Sequence, residues 1–310
     1  MVGMPPYLPL SGPKSIKPFK TSLFKGILYG VMKFVFFGTP RFAAIVLGRL
    51  IQNGFPPVAV VTNPDRPAGR KKEITPPPAK VICLKLNPKI PVLQPEKINE
   101  EFLAELKKIS ADFFLVAAYG KILPKSLLEI PALGTIGVHP SLLPKLRGAT
   151  PIQSAILNGL NETGVSLFVI DEKMDHGPVI SAESLEIHAH DNAESLSDRL
   201  AVLGSDMVMK LIPNMESTNP VPQNEEEATY VTKFTSDDAY ISPEELEQAE
   251  KGEADKADAV SRRIRAYTPE PGAWTIKDGK RMKLLDSEIS DGKLILKSVQ
   301  MEGKKPIILR

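Results

Sequence analysis

Residues 34–40, which read Phe-Val-Phe-Phe-Gly-Thr-Pro, begin a strand–turn–helix unit. The four apolar residues predict a short buried strand, the glycine and proline predict a turn, and residues 42–52 repeat apolar side chains at helical spacing. Apolar runs of the same kind recur between helical patterns, at residues 58–62, 113–117 and 135–139. Strands that alternate with helices predict a parallel sheet of the doubly wound type, so the predicted fold class is α/β.

The second half of the chain predicts two strands, a long helix and a separate small domain. Strand patterns occur at residues 165–170 and 179–187, and residues 193–211 predict an amphipathic helix capped by Asp191 or Asn192. The stretch that follows is poor in apolar residues and rich in Pro, Asn and Glu, which is typical of a linker. Two helical patterns and short β segments come after it, at 243–250, 257–266 and around Gly279, Gly292 and Gly303. We expect a large domain at 32–212, a linker at 213–227 and a small, mainly β domain at 228–310.

Residues 1–31 differ from the rest of the chain. They are rich in Pro, Lys, Ser and Gly, and a clear strand pattern begins only after Met32. Their apolar stretch at residues 27–31 is too short to span a bilayer, and the segment lacks the arginines of a transit peptide. We expect translation from an upstream start to give a disordered N-terminal extension.

Composition narrows the function classes. The chain has 310 residues, which suggests two domains, and 42% of them are hydrophobic. It carries 39 Lys and Arg and 37 Asp and Glu; four of the lysines lie in residues 1–31, which hold no acid, so residues 32–310 carry 35 basic and 37 acidic side chains, a net charge of −2. A nucleic-acid-binding protein is usually more basic, so any such contact must come from local patches.

Cysteine and histidine usage bears on metal sites and compartment. The single Cys83 excludes an intrachain disulfide and a cysteine-cluster zinc site, and it fits a reducing cytoplasm. Of the four histidines, only His188 and His190 lie close together on one predicted strand, and they lack a third ligand at a convincing spacing. We therefore expect no metal ion.

One histidine follows the fourth predicted strand. Residues 137–150 read Gly-Val-His-Pro-Ser-Leu-Leu-Pro-Lys-Leu-Arg-Gly-Ala-Thr, and Asp175 lies downstream in Lys-Met-Asp-His-Gly. Ligands of open α/β sheets bind beyond the carboxyl ends of the strands, so His139 is placed where a general base is useful. Asp175 could fix the ring tautomer and stabilise its cation. By spacing alone, His139 is more often structural, and Asp175 could merely cap a turn. The Gly38 turn lacks the three-glycine dinucleotide fingerprint, so a nicotinamide cofactor is not indicated.

Several further blocks carry a resemblance. In chain order, they are residues 36–44 (Phe-Phe-Gly-Thr-Pro-Arg-Phe-Ala-Ala), 63–70 (Asn-Pro-Asp-Arg-Pro-Ala-Gly-Arg), 117–124 (Ala-Ala-Tyr-Gly-Lys-Ile-Leu-Pro), 264–267 (Ile-Arg-Ala-Tyr) and 271–274 (Pro-Gly-Ala-Trp). Together with the His139 segment, they resemble the methionyl-tRNA formyltransferase family over nearly all of residues 32–306. The Ser-Leu-Leu-Pro segment alone would indicate only the wider formyltetrahydrofolate-dependent transferase superfamily.

The resemblance implies a reaction, a fold and a set of site residues. It implies transfer of the formyl group of 10-formyltetrahydrofolate to the α-amino group of methionine on initiator tRNA, in a cytoplasmic protein that we expect to be a monomer. It also implies a Rossmann-like catalytic domain followed by a small C-terminal β-barrel that resembles an OB-fold. His139 and Asp175 are the implied catalytic residues. The implied folate-binding segment is Ser141, Leu142, Leu143 and Pro144. Arg147 could contact folate or simply support that loop.

Two basic clusters are candidate tRNA contacts. Backbone phosphates dominate affinity for nucleic acids, and they are bound by Lys and Arg. In the family, a loop at residues 65–80 enters the acceptor end of the tRNA. In this chain, a second basic cluster lies in the predicted small domain. The candidates are Arg66, Arg70, Lys71, Lys72, Arg262 and Arg265. Both clusters could also be ordinary solvated surface.

Gly137 departs from the family pattern. The family has Asn two residues before the histidine, where its amide supports the oxyanion, and glycine has no side-chain donor. Loss of one such donor typically lowers turnover about 10²- to 10³-fold, so we expect a slow or unusually arranged enzyme. Two alternatives stay open. One is a formyltransferase that acts on a sugar-nucleotide amine or on glycinamide ribonucleotide, and the other is a tRNA- or folate-binding protein that has lost catalysis.

Overall fold

The computed structural model describes residues 32–69 and 72–309. The extension predicted at residues 1–31 and the tRNA-contact candidates Arg70 and Lys71 lie outside the described residues. The described part of the chain forms fifteen strands: β1 Phe34–Gly38, β2 Ala59–Val61, β3 Arg66–Ala68, β4 Glu73–Thr75, β5 Val92–Leu93, β6 Phe113–Ala117, β7 Thr135–His139, β8 Arg147–Gly148, β9 Glu162–Val169, β10 Val179–Glu186, β11 Tyr230–Val231, β12 Trp274–Lys277, β13 Lys280–Ser290, β14 Lys293–Met301 and β15 Ile307–Ile308.

The same residues form eight α-helices: α1 Arg41–Gln52, α2 Pro78–Leu86, α3 Glu100–Ile109, α4 Lys125–Leu128, α5 Pro151–Leu157, α6 Ala193–Leu211, α7 Pro243–Lys251 and α8 Ala254–Tyr267. Short 3-10 helices occur at Ile212–Ser217 and Glu225–Glu227. Within residues 32–69 and 72–309, no helix is both long and apolar enough to cross a membrane.

Seven strands form the central sheet, in the order β10-β9-β7-β6-β1-β2-β5. β1 pairs in parallel with β2 and β6, and the parallel part extends to β5 and β7. β9 runs antiparallel to both of its neighbours, β7 and β10. The chain is built outward from β1 first to one side and then to the other, which confirms the predicted doubly wound α/β fold. The carboxyl ends of β1, β6 and β7 therefore lie along one edge of the sheet.

Helices cover both faces of this sheet. Phe34 and Phe36 are buried in one hydrophobic cluster with α1 and α6, whereas Val35 and Phe37 are buried with α3 on the opposite face. Successive side chains of a strand point to opposite faces, so a strand that is covered on both sides has to be apolar throughout. This packing explains why the continuous apolar run at residues 34–37 predicted a strand correctly.

The predicted helix at residues 193–211 is confirmed as α6. Its N-cap is Asn192, whose side chain accepts from the backbone N–H of Ser195, while the Ser195 hydroxyl accepts from the backbone N–H of Asn192. Asp191 lies just before this cap and is buried. Burial alone would raise the pKa of Asp191, but the hydrogen bonds that it accepts and the nearby Arg199 guanidinium lower it. The loop that leads into α6 is therefore firmly held.

The C-terminal region has a core of its own. Strands β12 to β15 form an antiparallel sheet in chain order, which confirms the predicted small β unit, and β12 and β15 are its edge strands among the described residues. Side chains from α8, such as Ile264 and Tyr267, pack against Leu284 and Leu294 of the sheet. The other side of α8 packs against α5 of the large domain.

Two segments differ from the sequence interpretation. The stretch predicted as a linker forms 3-10 turns, and its continuation β11 pairs in parallel with β8 near the end of the central sheet. The basic segment at residues 65–80, interpreted as a loop, contains the hairpin β3–β4 and the start of α2. The strands of this hairpin are only three residues long and include Pro67, so neither has enough alternation to be recognised.

Candidate active site

His139 is the last residue of β7, and the structure places it beside Asp175. Its Nε2 lies 3.0 Å from the carbonyl oxygen of Leu146, and its Nδ1 lies 3.7 Å from Oδ2 of Asp175. The side chains of His139 and Asp175 are 7% and 21% exposed, so the pair is largely shielded from water. The ring of Phe168 on β9 meets the imidazole edge to face, with 6.3 Å between centroids. The two residues singled out from the sequence are therefore neighbours at the carboxyl edge of the sheet.

The Leu146 carbonyl sets the tautomer of His139. A carbonyl oxygen only accepts, so Nε2 carries the proton and the lone pair of the neutral ring is on Nδ1. The 3.7 Å from Nδ1 to the carboxylate of Asp175 is longer than a hydrogen bond. A proton added to Nδ1 would turn this pair into an attractive ion pair in a poorly hydrated place. Nδ1 is therefore the ring nitrogen with a lone pair free to take a proton.

The carboxylate of Asp175 is held by a backbone donor. The N–H of Gly148 donates to Oδ2 of Asp175 over 2.7 Å. Gly148 has a φ of 119°, and a Cβ at this position would collide with the carbonyl oxygen of Val231 on β11. Only glycine fits both the conformation and this close approach. The glycine of the Arg-Gly pair in the sequence motif therefore supplies the backbone N–H that orients the carboxylate of Asp175.

Phe168 fills the space next to Gly137. The two residues are register partners across β7 and β9, and a Cβ built on Gly137 would lie 3.0 Å or less from three carbons of the Phe168 ring. The Asn expected at this position in the family has no room beside that ring. Sequence analysis identified the missing amide but not the aromatic ring, because the register that joins β7 to β9 is not visible in either segment alone.

Some residues of the segment Ser141–Pro144 bind or pack against other parts of the protein, whereas others are partly exposed. The buried Ser141 hydroxyl donates to the carbonyl oxygen of Lys145 over 2.6 Å, so it shapes the turn and its predicted contact with folate is not supported by its placement. The Leu142 side chain lies against Gly164 of β9, where a Cβ would collide with it. Leu143 and Pro144 are half-buried. They are the members of this segment that are left to contact a ligand beside His139.

Arg147 supports the loop. Its guanidinium is fully buried and donates to Oε1 of Gln223, to both carboxylate oxygens of Glu225 and to the hydroxyl of Tyr230. The hydrogen bond from Arg147 lowers the pKa of Glu225. The sequence left open whether Arg147 contacts folate or holds the loop in place, and its position favours the second role. Gln223 and Tyr230 were missed because they lie in or just after the predicted linker.

The hairpin β3–β4 presents the first basic cluster. Arg66 forms an exposed ion pair with Glu96, and Lys72 is exposed at the tip. Lys80, at the base, binds the Asp65 carboxylate at 2.9 Å. Gln94 and Lys80 together lower the pKa of Asp65. Arg66 and Lys72 are therefore placed to meet a polyanion, whereas Lys80 anchors the hairpin.

The second basic cluster faces the large domain. Arg265 on α8 donates to the carbonyl oxygen of Asp191 over 3.0 Å, and burial lowers its pKa. Arg262 pairs with Asp258 and lies against Gly159 at the end of α5. Because α8 packs this side onto α5, both side chains are directed toward the large domain and are only partly exposed. The predicted tRNA contacts of Arg262 and Arg265 are not supported by this placement.

The remaining candidates for special chemistry have ordinary partners. His188 lies 3.1 Å from Nη2 of Arg199, and its ring is 5.5 Å from that of His190. In the described part of the chain, no group of three or more His, Cys, Asp or Glu side chains could hold a metal ion. Cys83 is buried, which raises its pKa to about 11 and leaves the thiol unreactive.

Comparisons with known proteins agree with this fold. A family model described as formyl transferase matches residues 32–212, and a second one, formyl transferase C-terminal domain, matches residues 254–293. Methionyl-tRNA formyltransferase of Staphylococcus aureus strain JH1 is 40% identical over 260 residues, which cover 83% of this chain and 79% of that protein.

Two solved structures share the fold at low identity. Methionyl-tRNA formyltransferase from Clostridium thermocellum superposes with a TM-score of 0.59 at 19% identity, over 87% of this chain and 99% of that one. The N-formyltransferase of Helicobacter canadensis, in complex with folinic acid and dTDP-3-aminofucose, gives 0.59 at 20% identity, over 84% of this chain and 88% of that one. The formyl transferase match over more than half of the sequence, together with the 40% identity, shows that the chain belongs to the methionyl-tRNA formyltransferase family.

Proposed function

We propose that the protein transfers the formyl group of 10-formyltetrahydrofolate to the α-amino group of methionyl-initiator tRNA, for translation initiation. The observation that carries the reaction is the position of His139, whose Nε2 is held by Leu146 and whose Nδ1 faces Asp175 at 3.7 Å. An amine that attacks a formyl carbon needs a base for its proton, and imidazole suits this task near neutral pH. The acceptor is proposed from the 40% identity with methionyl-tRNA formyltransferase of Staphylococcus aureus.

In the proposed mechanism, His139 and Asp175 act together to remove one proton from the acceptor amine. The amino nitrogen of the acceptor forms a bond to the formyl carbon, and the bond between that carbon and N10 of the folate breaks. His139 takes the proton of the amine at Nδ1, and Asp175 stabilises the resulting imidazolium. The leaving folate nitrogen N10 then takes this proton from the imidazolium of His139, which returns to its neutral form. Gly148 keeps the carboxylate of Asp175 in place throughout, through its 2.7 Å hydrogen bond.

The folate co-substrate fits the apolar surface next to His139. Leu143 and Pro144 are half-buried and offer apolar contact to a flat ring system. The backbone N–H of Leu143 is already bonded to the Ser166 hydroxyl, so these two residues are held rigidly. We therefore propose that Leu143 and Pro144 form one wall of the folate site, with Leu142 behind them.

We propose that Arg66 and Lys72 contact the tRNA backbone. The R66A and K72A variants should each raise KM for methionyl-tRNA and leave the maximal single-turnover rate nearly unchanged. Each should also make the dependence of log KM on log salt shallower by about one unit or less, since each removes about one phosphate contact. Lys107 is exposed on α3, away from the hairpin, so K107A is the control. A salt dependence of R66A and K72A identical to that of the wild type and K107A would contradict the proposed contacts.

A small-molecule acceptor is the second candidate. It is favoured by the similar fold of the Helicobacter canadensis N-formyltransferase, whose structure contains dTDP-3-aminofucose. Radiolabelled 10-formyltetrahydrofolate should be supplied with methionyl-initiator tRNA, with an amino-sugar nucleotide and with glycinamide ribonucleotide. We expect label on the tRNA alone. Label on a small amine and none on the tRNA would overturn the proposed acceptor, and binding without transfer to any acceptor would favour a protein that has lost catalysis.

We also propose that the protein is a monomer and works in the cytoplasm without a metal ion. Initiator tRNA and its synthetase are found where translation occurs, and the one cysteine is a buried thiol of the kind expected in a reducing compartment. Light scattering at working concentrations measures the mass in solution. A mass of twice 33.9 kDa would contradict the monomer.

A further inference from the structure

Both residues that contact the ring nitrogens of His139 have an unusual backbone. Leu146 has a φ of 58° and Asp175 a φ of 49°, so both are in the left-handed region. This region is uncommon for residues other than glycine and is energetically unfavourable, so such residues persist only where surrounding contacts hold them. The contacts that hold the backbone of Leu146 and Asp175 therefore also fix the carbonyl and the carboxylate that face the imidazole nitrogens of His139.

The contacts that hold them come from one segment, residues 221–231, which we name the strap. Thr229 Oγ1 accepts a hydrogen bond from the N–H of Leu146 over 2.8 Å. The side-chain amide of Gln223 donates to the carbonyl oxygens of Asp175 at 2.8 Å and of Gly177 at 2.7 Å. Each of the two residues with a left-handed backbone is thus held by a different side chain of the strap, Leu146 by Thr229 and Asp175 by Gln223.

Arg147 fixes the orientation of the Gln223 amide. The buried guanidinium donates to Oε1 of Gln223 through Nε at 3.0 Å and through Nη2 at 2.8 Å. Since Oε1 is used in this way, Nε2 with its two donors has to face the carbonyls of Asp175 and Gly177. Glu225 and Tyr230 accept the remaining hydrogen bonds of the guanidinium, so Arg147 binds three side chains of the strap.

The strap is attached at both ends. Val221 pairs with Val179 at the start of β10, with hydrogen bonds of 2.8 Å in each direction. At the other end, β11 pairs with β8, and the N–H of Arg147 donates to the carbonyl oxygen of Thr229 over 2.8 Å. The strap therefore spans from the loop of Asp175 to the loop of Leu146 and has little freedom to move.

We propose that the strap is a working part of the active site, in which Gln223 and Thr229 are positioning residues that act through Asp175 and Leu146 on His139. This inference rests on the proposed function for its kinetic test. It assigns a role in formyl transfer to a stretch of which residues 221–227 were predicted to be part of a linker. The strap touches neither reacting atom; it keeps the Nε2–H tautomer of His139 facing its carbonyl and the carboxylate facing Nδ1.

The kinetic test measures single-turnover formyl transfer to methionyl-tRNA. Q223L removes the amide donor and T229V removes the hydroxyl acceptor, whereas T229S keeps it. Q223L and T229V should lower the rate about 10- to 100-fold with little change in KM for either substrate, because small misplacements of reacting groups have effects of this size. T229S should stay near the wild-type rate. Q52L is the matched control, because Gln52 is exposed at the end of α1.

Non-additivity separates positioning from a general structural role. If the strap acts through His139, Q223L should lower the residual rate of the H139Q variant by less than threefold, since that variant has no base left to position. Full additivity of the two changes, or equal rates for T229V and T229S, would overturn the inference.

A spectroscopic readout tests the strap even if the proposed reaction is wrong. Nitrogen-15 NMR of the imidazole resonances, with His139 assigned by its loss in H139Q, reports the tautomer. The wild type and Q52L should show the Nε2–H form, and Q223L and T229V should show mixed tautomers. An unchanged His139 spectrum in both strap variants overturns the inference. A wild type that transfers formyl groups to no acceptor refutes the proposed function alone.

Discussion

Replacement of His139 by Gln should lower kcat for formyl transfer about 10²- to 10⁴-fold, the range that a positioned general base contributes. Glutamine keeps a side-chain donor for the Leu146 carbonyl and nearly fills the volume of the imidazole, but it cannot take a proton from the amine. KM for methionyl-tRNA and for folate should change less than threefold, because His139 is buried and its proposed role is confined to the transition state.

The companion change at Asp175 separates charge from geometry. D175N keeps an oxygen that can accept from the Gly148 N–H but removes the charge that stabilises the imidazolium, so kcat should also fall, with KM nearly unchanged. The control is H190A, since His190 is exposed in the turn between β10 and α6. Wild-type kcat in either H139Q or D175N would contradict the assigned roles, and a loss in H190A of similar size would point to a general effect on the fold.

Replacement of Gly137 by Asn should destabilise the protein and should not increase its rate of formyl transfer. The new side chain would push against three carbons of the Phe168 ring in a fully buried strand, and overpacking of this kind costs about 1–3 kcal/mol. The missing oxyanion donor, taken alone, would suggest the opposite result, a gain in rate from the restored amide. Chemical denaturation of the single variant measures the first effect, and the single-turnover rate measures the second.

Removal of the Phe168 ring should reverse this outcome. F168A alone leaves a cavity and should cost about 3–5 kcal/mol, whereas the Asn side chain in the G137N/F168A double variant fills part of that space. The double variant should therefore be more stable than the sum of the single changes predicts, by 1 kcal/mol or more. If the restored amide reaches the oxyanion, the double variant should transfer formyl groups about 10²-fold faster than F168A alone.

The two changes are informative even if the amide does not reach the oxyanion. A G137N variant as stable as the wild type would show that the Phe168 ring moves aside at little cost. Strict additivity in the G137N/F168A cycle would show that the two positions are independent. Either result would contradict the packing argument, while a stable double variant without a gain in rate would contradict only the oxyanion argument.

The backbone of this site could be predicted from sequence because its elements are apolar on both faces. The runs at Phe34–Phe37 and Phe113–Ala117 have no polar residue, so they can only be buried strands, and their alternation with helices leaves few topologies. His139 could be placed at the edge of the sheet for the same reason. Its tautomer could not, because that depends on a carbonyl seven residues away in a loop.

Polar residues at interfaces were the ones that sequence interpretation misplaced. Arg262 and Arg265 have the composition of a solvated surface, but Arg262 lies against Gly159 and Arg265 donates to the carbonyl oxygen of Asp191, both of which are far away in the chain. The strap looks like a linker because it has few apolar side chains. It is ordered by hydrogen bonds to backbone atoms of other segments, and such bonds leave no periodic pattern in sequence.

The central claim is that His139 removes the proton of an aminoacyl amine during formyl transfer. The most direct measurement is a rapid-quench single turnover with excess enzyme, radiolabelled 10-formyltetrahydrofolate and methionyl-initiator tRNA, for the wild type and H139Q side by side. The wild type should convert all of the limiting tRNA to formylmethionyl-tRNA, while H139Q should convert roughly a few per cent of it or less in the same time. Complete conversion by H139Q at the wild-type rate would contradict the claim.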